Sequence, residues 1–375
     1  MNTSVIETKK NKQQRIYDYI KNAILNGTYS NGDRLPTEVQ MTRQFKASRP
    51  TIGHALLRLQ KVGLIERIAG SGTYVRMVGH TGDLSLLGLL IPDLGNTDIF
   101  EPLCGQMSAE ASREQFNLLW GGCVNAKGDS PLQVVESCRH YVQQKVAGVF
   151  FAPFVEANPE NQAANRQILQ ELKAAGIPIV LLDRDVTVFP HRSPYDLVTM
   201  DNYQAGYVLA QHFLDQGSRR VDFVMDPFMA STVERRIAGC MEALRRGGLN
   251  PSQAWIHCGQ PDDPDFVRSL AEDDAVKSII CANDKTAMTL MQTLLEMGVA
   301  IPDRIRLAGF DDLPYTRFLK VSLTTMRQPC RELGSAALSA MISRIRQPQL
   351  PPRTILLQSE LVVRESTAGR KTQRA

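Results

Sequence analysis

The sequence predicts an α/β protein in which a small basic module precedes a larger part built from two doubly wound lobes. Charge divides the chain, because the first eighty residues hold 13 Lys and Arg against 5 Asp and Glu, whereas the remainder holds 30 against 34. Apolar residues recur at helical spacing in the basic part, and short β-prone runs alternate with helical stretches in the rest. This division favours a protein that binds a polyanion with one end, and nucleic acid is the first candidate.

Composition excludes several classes of protein. At 375 residues and 43% hydrophobic content, the chain is long enough for two or three packed domains. The 7 cysteines are scattered without a C-x-x-C pair, which indicates neither a disulfide framework nor a zinc site. The N-terminus lacks the apolar core of a signal peptide, and no apolar run is long enough for a membrane span. We therefore expect a cytoplasmic protein that contacts no membrane and needs no cofactor or metal.

Three helices are predicted in the basic module. The first has apolar residues at helical spacing over 15–24, and the second follows the capping residue Thr37. The third begins after Ser48, has Pro50 in its first turn and ends at Gly63. Its N-terminal end is polar and basic, whereas its later turns continue the apolar stripe.

A hairpin is predicted after these helices, because two β-prone runs at 64–68 and 73–77 flank the tight Gly-Ser-Gly sequence at 70–72. Three helices followed by a hairpin form a winged helix-turn-helix. The sequence LPTEVQMTRQFKASRPTIGHALLRLQKVGLIERIAGSGTYV resembles the GntR family of bacterial transcription factors, and the likeness covers roughly residues 12–77. The resemblance implies a DNA-binding domain at residues 1–77.

The third helix carries the residues expected to contact DNA. The N-terminal end of a recognition helix enters the major groove, where an arginine can bond a guanine edge bidentately and contribute about 1–3 kcal/mol of discrimination. Arg49 is the candidate for that role. Ser48 and Thr51 are expected to donate to phosphates beside the helix N-terminus.

The wing supplies further candidates. Gly72 allows close approach of backbone to DNA, and the resemblance implies contacts from Arg67 and Thr73. The chain departs from the family at Gly53, where the family often has an arginine on the recognition helix. His54 is the candidate to replace that contact.

After a predicted linker at residues 78–84, the pattern changes to repeated β-α-β, which predicts parallel sheets covered by helices. The rhythm restarts near Leu197, so two lobes are predicted within one C-terminal domain at 85–375. The predicted division is 85–196 with 328–348 for one lobe and 197–327 with 353–367 for the other.

Polar side chains directly follow several predicted strands. Asp93, Asp183, Asn283, Asp284 and Asp311 occupy such positions, and Arg236 lies near the start of a predicted helix. Ligands of open α/β sheets bind beyond the carboxyl ends of the strands. Carboxylates, an amide and a guanidinium gathered there can hold vicinal hydroxyls through charge-assisted hydrogen bonds, which favours a sugar as the ligand.

The motifs LLIPDLGN, GIPIVLLDR, ERRIAGCMEAL, CANDKTAM and IPDRIRLAGFDD occur in order within residues 86–367. They resemble the effector domain of LacI/GalR regulators, which is similar to periplasmic sugar-binding proteins. The resemblance implies a periplasmic-binding-protein-like fold and makes residues 85–375 an effector-binding and dimerisation domain. The effector contacts that it implies by position are Asp183, Arg236, Asn283 and Asp311. Asp93, Asn96 and Phe100 are implied to line the same cleft.

Other interpretations of these residues stay open. An Asp or Asn after a strand is also a common helix cap, and this is the expected role of Asp201 and Asn202. Either Phe310 or Tyr315 could stack on the apolar face of a sugar. The family often has polar or aromatic contacts where this chain has Ala152 and Cys330, so the resemblance does not identify the ligand.

Together these features predict a transcription regulator of the repressor type, in which a small-molecule effector controls affinity for a double-stranded DNA operator. The arrangement resembles arabinose-repressor-type regulators. A homodimer is expected, because two winged modules would read a palindrome and one buries little DNA surface. Effector binding is expected to close the cleft and change the spacing of the modules.

Two alternatives belong to other classes. A sugar-acting enzyme is disfavoured because the sequence has no Walker A, G-x-S-x-G, H-E-x-x-H or dinucleotide-binding motif. A regulator controlled by a protein partner or by a phosphorylated ligand stays open.

Overall fold

A computed structural model describes most of the chain. The described residues are 3–25, 29, 32–61, 64–68, 71–75, 85–92, 94, 98–121, 130–155, 158–187, 191–227, 230–250 and 255–368. The chain divides into two compact units, Met1–Leu84 and Ser85–Ala375. The predicted linker at 78–84 lies outside the described residues, so its structure stays a prediction.

The N-terminal unit has the predicted helices and hairpin. Its elements in order are α1 (Thr3–Leu25), α2 (Glu38–Phe45), α3 (Arg49–Lys61), β1 (Ile65–Ile68) and β2 (Gly72–Val75). The first helix begins twelve residues before the stripe used to predict it. The sequence before that stripe contains the polar run at 7–15, which has no apolar residue and therefore gave no periodic signal.

Local sequence explains how these elements begin and pair. Thr37 caps α2 in a capping box, in which its side chain accepts from the backbone of Gln40 and the Gln40 side chain accepts from the backbone of Thr37. Strands β1 and β2 pair antiparallel, with Ile65 opposite Val75. One apolar core joins the three helices to the hairpin through Ile16, Ile20, Ile24, Leu35, Met41, Ile52, Ala55, Leu56, Leu59, Leu64, Ile65 and Val75. Each large aliphatic side chain buried there contributes about 1.5–3 kcal/mol.

The C-terminal unit contains two mainly parallel six-stranded sheets among the described residues, each at the centre of one lobe. The first lobe contains β3 (Ser85–Leu90), α4 (Phe100–Ala111), β4 (Phe116–Trp120), α5 (Pro131–Gln143), β5 (Gly148–Phe151), α6 (Pro159–Ala174), β6 (Ile179–Leu182), β7 (Asp196–Met200), α11 (Cys330–Arg346) and β13 (Thr354–Leu357). The second contains α7 (Asn202–Asp215), β8 (Asp222–Met225), α8 (Ser231–Arg246), β9 (Ile256–Cys258), α9 (Pro264–Glu272), β10 (Ser278–Cys281), α10 (Asp284–Glu296), β11 (Arg306–Asp311), β12 (Thr324–Arg327), β14 (Glu360–Val362) and α12 (Glu365–Ala368). The strand orders are β13-β7-β6-β5-β3-β4 and β14-β12-β11-β10-β8-β9.

Strand pairing corrects the predicted boundary between the lobes. Residues 197–200 and 353–357 were assigned to the second lobe, but β7 pairs with β6 and with β13, so all three strands belong to the first sheet. The restart of the β-α rhythm marks a new strand, but it does not say which sheet that strand joins. Three chain segments therefore cross between the lobes, at 200–202, 327–330 and 357–360.

Both faces of each sheet are covered by helices, which confirms the α/β doubly wound class. In the first lobe, α4 and α11 pack on one face and α5 and α6 on the other. In the second lobe, α7 and α8 pack on one face and α9 and α10 on the other. None of the helices built from described residues is long and apolar enough to cross a membrane.

Glycines bring α7 and α8 into close contact. A Cβ atom on Gly206 would lie 2.0 Å from the carbonyl oxygen of Arg236, and one on Gly239 would lie 1.9 Å from that of Tyr203. Only glycine allows backbones to approach this closely. The crossing fixes the position of Arg236 on α8, and Arg236 is one of the predicted effector contacts.

Candidate DNA-binding face and effector cleft

The N-terminal end of α3 presents the predicted DNA-reading residues. Arg49 is the first residue of the helix and is exposed, as are Ser48 and His54. The hydroxyls of Ser48 and Thr51 lie 2.7 Å apart and share a hydrogen bond. The opposite side of α3 carries the buried residues Ile52, Ala55, Leu56 and Leu59. The helix therefore packs through its apolar face and presents polar groups to solvent.

The predicted wing residues are engaged with the rest of the unit. Arg67 forms an ion pair with Glu38 at the start of α2. The backbone carbonyl of Thr73 accepts from the amide of Leu35. Gly72 has a φ of 140°, and a Cβ atom there would lie 2.7 Å from Nε of Arg34.

Arg34 was missed by sequence reasoning. It is exposed and lies against the wing at Gly72. Arg34 stands immediately before the Leu-Pro pair of the LP-x-E motif. Its position beside a family motif is the sequence feature by which it could have been selected.

The second lobe gathers two of the predicted effector contacts. Arg236 is 4% exposed, and its Nη2 lies 3.7 Å from Oδ1 of Asp311 at the end of β11. The guanidinium also donates from Nη1 to the carbonyl of Ala282 at 2.6 Å and stacks 4.5 Å over the ring of Phe310. Phe310 is fully buried beneath that guanidinium, so the expectation that it could stack on a sugar is wrong.

Burial changes the ionisation of Asp311. Its pKa is raised to about 6, chiefly because burial disfavours the charged form, although Arg236 and Gln328 oppose the shift. The charge of Asp183 also raises this pKa, so a predicted contact of the first lobe acts on a predicted contact of the second.

Asp284, which also directly follows a predicted strand, is a fully buried acid near Asp311. It accepts from the Thr325 hydroxyl at 2.7 Å and from the Leu313 amide at 3.0 Å. Burial raises its pKa well above the usual value, and the charge of Asp311 raises it further. The two acids therefore repel each other when both are charged.

Two predicted contacts have a positive φ, a backbone conformation that residues other than glycine rarely adopt. The φ angles are 66° at Asp183 and 116° at Asp311. Such conformations cost of order 1–3 kcal/mol and are concentrated at functional sites. Asp183 accepts from both Nε and Nη2 of its neighbour Arg184, at 3.0 and 2.8 Å. It also lines a cavity shared by the two lobes, together with Asn202 and Thr232.

The other predicted cleft residues are placed differently. Asn283 caps α10 by accepting from the amide of Thr286, which is the capping role left open by the sequence. Phe100 is 5% exposed and packs in the core of the first lobe. Asp93 and Asn96 lie outside the described residues. Their contact with an effector stays a prediction.

A hydrogen bond joins the lobes near these residues. The hydroxyl of Tyr315, which follows β11, donates to Oδ2 of Asp98 in the first lobe at 2.8 Å. Burial and the bond to Asp98 raise the pKa of Tyr315 to about 12, so this hydroxyl stays protonated near neutral pH. The carboxyl ends of the two sheets therefore meet across a cleft bounded by Asp98, Asp183, Asp311 and Tyr315.

Two amide side chains support the cleft charges. Oδ1 of Asn202 accepts from Nε of Arg236 at 2.8 Å, and Nε2 of Gln328 donates to Asp311 at 2.6 Å. Asp201, not Asn202, caps α7, since it accepts from the amide of Gln204. Sequence patterns gave no signal for the two amides, because their partners are distant along the chain.

Two family models match this chain, one in each of its two units. Residues 12–75 match the gntR family of bacterial regulatory proteins, and residues 210–367 match the periplasmic binding protein-like domain. The arabinose metabolism transcriptional repressor of Geobacillus stearothermophilus is 26% identical over 358 residues, which cover 92% of this chain and 94% of the repressor. The transcriptional repressor PurR of Photobacterium profundum is 29% identical over 199 residues, which cover 52% of this chain and 58% of PurR.

Solved structures show the same fold. A LacI family transcriptional regulator from Enterococcus faecium with bound ribose has a TM-score of 0.61 at 23% identity, covering 76% of this chain and 99% of its own. A complex of the transcriptional regulator CelR with cellobiose has a TM-score of 0.63 at 19% identity, covering 86% of this chain and 92% of its own. Both confirm the two-lobed fold.

Proposed function

We propose that this chain, which joins a gntR-type DNA-binding domain to a periplasmic-binding-protein-like domain, is a transcriptional repressor whose affinity for an operator is controlled by a sugar bound between the lobes. The observation that carries the proposal is the pair Arg236 and Asp311, held 3.7 Å apart at the sheet edge of a chain whose other end presents a recognition helix. The full-length similarity to an arabinose metabolism repressor supports it.

The chemistry of the cleft suits an uncharged polyol. A carboxylate accepts from sugar hydroxyls, a guanidinium donates to them, and neighbouring hydroxyls can be bonded in pairs. Arg236 is fixed by Asn202, Ala282 and Phe310, so little side-chain entropy is lost when a ligand binds. Asp183 would add a second carboxylate from the first lobe.

The DNA-binding role is assigned to α3 and the wing. Arg49 would contact base edges, Ser48 and Thr51 would contact phosphates, and His54 would add a contact one turn further along the helix. Because one such module buries little surface, the operator-binding form is proposed to be a homodimer that reads a palindrome.

A thermal unfolding screen tests the effector assignment. The purified protein is melted with L-arabinose, D-ribose, D-xylulose, cellobiose and hypoxanthine. A ligand at 100 times its dissociation constant adds about 2.7 kcal/mol to the native state, which raises the Tm by several degrees. The Asp311→Asn variant is the control and should lose most of the shift.

A sugar that shifts the Tm of the wild type and not of the variant supports the proposal. A shift with hypoxanthine alone would replace the sugar by a purine. If none of the five compounds acts on a protein that still binds DNA selected from a random library, sugar control is wrong for this panel and a protein partner or phosphorylated ligand gains support. Turnover of a bound sugar would instead indicate an enzyme.

A further inference from the structure

Two of the three crossovers between the lobes each contribute an amide side chain to the effector cleft. In the first crossover, β7 of the first lobe ends at Met200 and α7 of the second begins at Asn202. In the second, β12 ends at Arg327 and α11 begins at Cys330, with Gln328 between them. Both amides are buried, with 2% of Asn202 and 8% of Gln328 exposed. Neither side chain serves as a helix cap.

Asn202 connects a strand of the first lobe to an effector-binding charge of the second. Its Nδ2 donates to the carbonyl of Met200 at 3.2 Å, and its Oδ1 accepts from Nε of Arg236 at 2.8 Å. Met200 belongs to the first lobe and Arg236 to the second, and one short side chain bonds both. Rotation of the lobes about this crossover therefore cannot leave both bonds unchanged.

Gln328 has the corresponding position in the second crossover. Its side-chain Nε2 donates to Oδ1 of Asp311 at 2.6 Å, and its backbone carbonyl accepts from the backbone amide of Cys330 at the start of α11. Helix α11 packs in the core of the first lobe, whereas Asp311 belongs to a strand of the second. This bond therefore also connects groups that move with different lobes.

The two sets of contacts form one continuous series of bonded residues, the contact chain. It runs from Met200 through Asn202 to Arg236, continues across the 3.7 Å ion pair to Asp311, and ends at Gln328. Both central members are the proposed sugar contacts. A ligand that accepts hydrogen bonds from Arg236 or donates them to Asp311 changes the bonds of these two residues to Asn202 and Gln328, and so affects both crossovers.

We propose that Asn202 and Gln328 are positioning residues that set the angle between the lobes through Arg236 and Asp311, so that an effector held by these two charges acts on both crossovers at once. The role as an effector relay rests on the proposed function. The control of lobe angle does not, and it can be measured without any ligand.

The experiment measures the distance between the lobes in the full-length, ligand-free protein. Spin labels on genetically encoded residues replace the exposed Lys173 in the first lobe and Lys277 in the second, and electron double resonance gives the distribution of their separations. Asn202→Asp keeps the acceptor for Arg236 but removes the donor to Met200. Gln328→Met removes the donor to Asp311 at nearly constant volume. Both changes are made in the same doubly labelled background.

In either variant the distribution of distances is expected to be about twofold broader than in the wild type. The reason is that the intact contact chain keeps the lobes in one of two pre-existing arrangements. The double variant should be no broader than the broader single variant, because one break already interrupts the chain. Thr293→Val is the matched control. It removes a buried hydroxyl that donates to Pro261 away from the crossovers, and it should leave the distribution unchanged.

Unchanged widths in both single variants would overturn the proposal, as would equal broadening by Thr293→Val or additive broadening in the double variant. Circular dichroism verifies folding. Asn202→Gln and Gln328→Asn, which keep the amide but displace it by one methylene, replace any variant that does not fold and are expected to broaden the distribution as well. Failure of every sugar in the thermal screen would leave these distances valid, so the two proposals can fail separately.

Discussion

The two candidate sites differ in how their charged residues are held. At the DNA-binding face, Arg49 and His54 are exposed on the first turns of a helix that packs through its other side. In the effector cleft, Arg236 is buried and Asp311 is largely buried, and the pair is supported by amides, a backbone carbonyl and an aromatic ring. Exposed charges leave the free protein nearly unaffected when removed, whereas buried pairs contribute to both folding and binding. Substitutions should therefore separate the two sites by their effect on stability.

The largest effect is expected from Arg236→Ala. Breaking a buried ion pair by removing one partner typically costs 3–5 kcal/mol, because the other charge stays buried without compensation. We expect about that loss in the free energy of unfolding at pH 8, measured by urea denaturation, together with loss of any sugar-induced Tm shift.

Arg245→Ala on the same helix is the control for this comparison. Arg245 is an exposed partner of Glu242, so its removal should change stability by less than about 1 kcal/mol. A loss of stability as small for Arg236→Ala would contradict the description of the cleft as a preformed buried pair.

Arg49→Ala should have the opposite pattern. We expect specific operator affinity to fall by about 1–3 kcal/mol, which is the contribution of one good base contact, while the Tm stays unchanged. Fluorescence anisotropy with DNA selected from a random library measures the first quantity. Arg113→Ala, which removes an equal charge from an exposed site in the other unit, should leave affinity unaltered. Equal losses from both variants would mean that Arg49 acts only through net charge.

The raised pKa of Asp311 in the cleft makes the stability of the larger unit depend on pH. The pKa of Asp311 is about 6 in the folded protein against an ordinary value of 3.8, so the folded state binds this proton more tightly than the unfolded state does. The contribution of Asp311 to the free energy of unfolding should therefore decrease as pH rises from about 4 to about 6. Asp284, whose pKa is also raised, acts in the same direction.

Urea denaturation across this pH range, compared between the wild type and Asp311→Asn, isolates the contribution of Asp311. The two proteins should differ in slope below pH 6 and run parallel above it. Sugar affinity should rise over the same interval, since hydroxyl donors prefer the ionised carboxylate. Parallel stability curves over the whole range would show that Asp311 titrates normally.

The smallest effect is expected at the N-terminal cap of α2 in the DNA-binding unit. Thr37→Ala removes the cap of α2, which should cost about 1 kcal/mol and lower the melting temperature of this unit alone. Calorimetry should show the transition of the larger unit unchanged. A shift of both transitions would mean that the two units unfold together.

The sequence predicted elements better than it predicted contacts. Helix caps such as Thr37 and the apolar stripe of α3 depend on neighbours within a few residues, so their patterns were visible. The sheet membership of β7 and β13 was not visible, because pairing between strands about 150 residues apart leaves no local period. The roles of Asn202 and Gln328 were hidden for the same reason.

Asp311 and Arg236 were selected from strand ends and from family resemblance, and the structure places them together. Phe310 was misjudged because its ring lies beneath the guanidinium of Arg236, a contact between residues distant along the chain that its place beside Asp311 does not reveal. Asn283 shows that a polar residue after a strand can serve as a cap, which is an interpretation that its type alone could not decide.

The most direct test of the central claim is whether the two sites are coupled. Operator affinity is measured by anisotropy without ligand and with a saturating concentration of the sugar that gives the largest Tm shift. We predict a change of about 1–3 kcal/mol, or roughly 5–150-fold, and an equal change in sugar affinity between free and operator-bound protein. Asp311→Asn should abolish both changes while leaving ligand-free operator affinity intact. Operator affinity that is the same with and without a sugar that demonstrably binds would contradict the account.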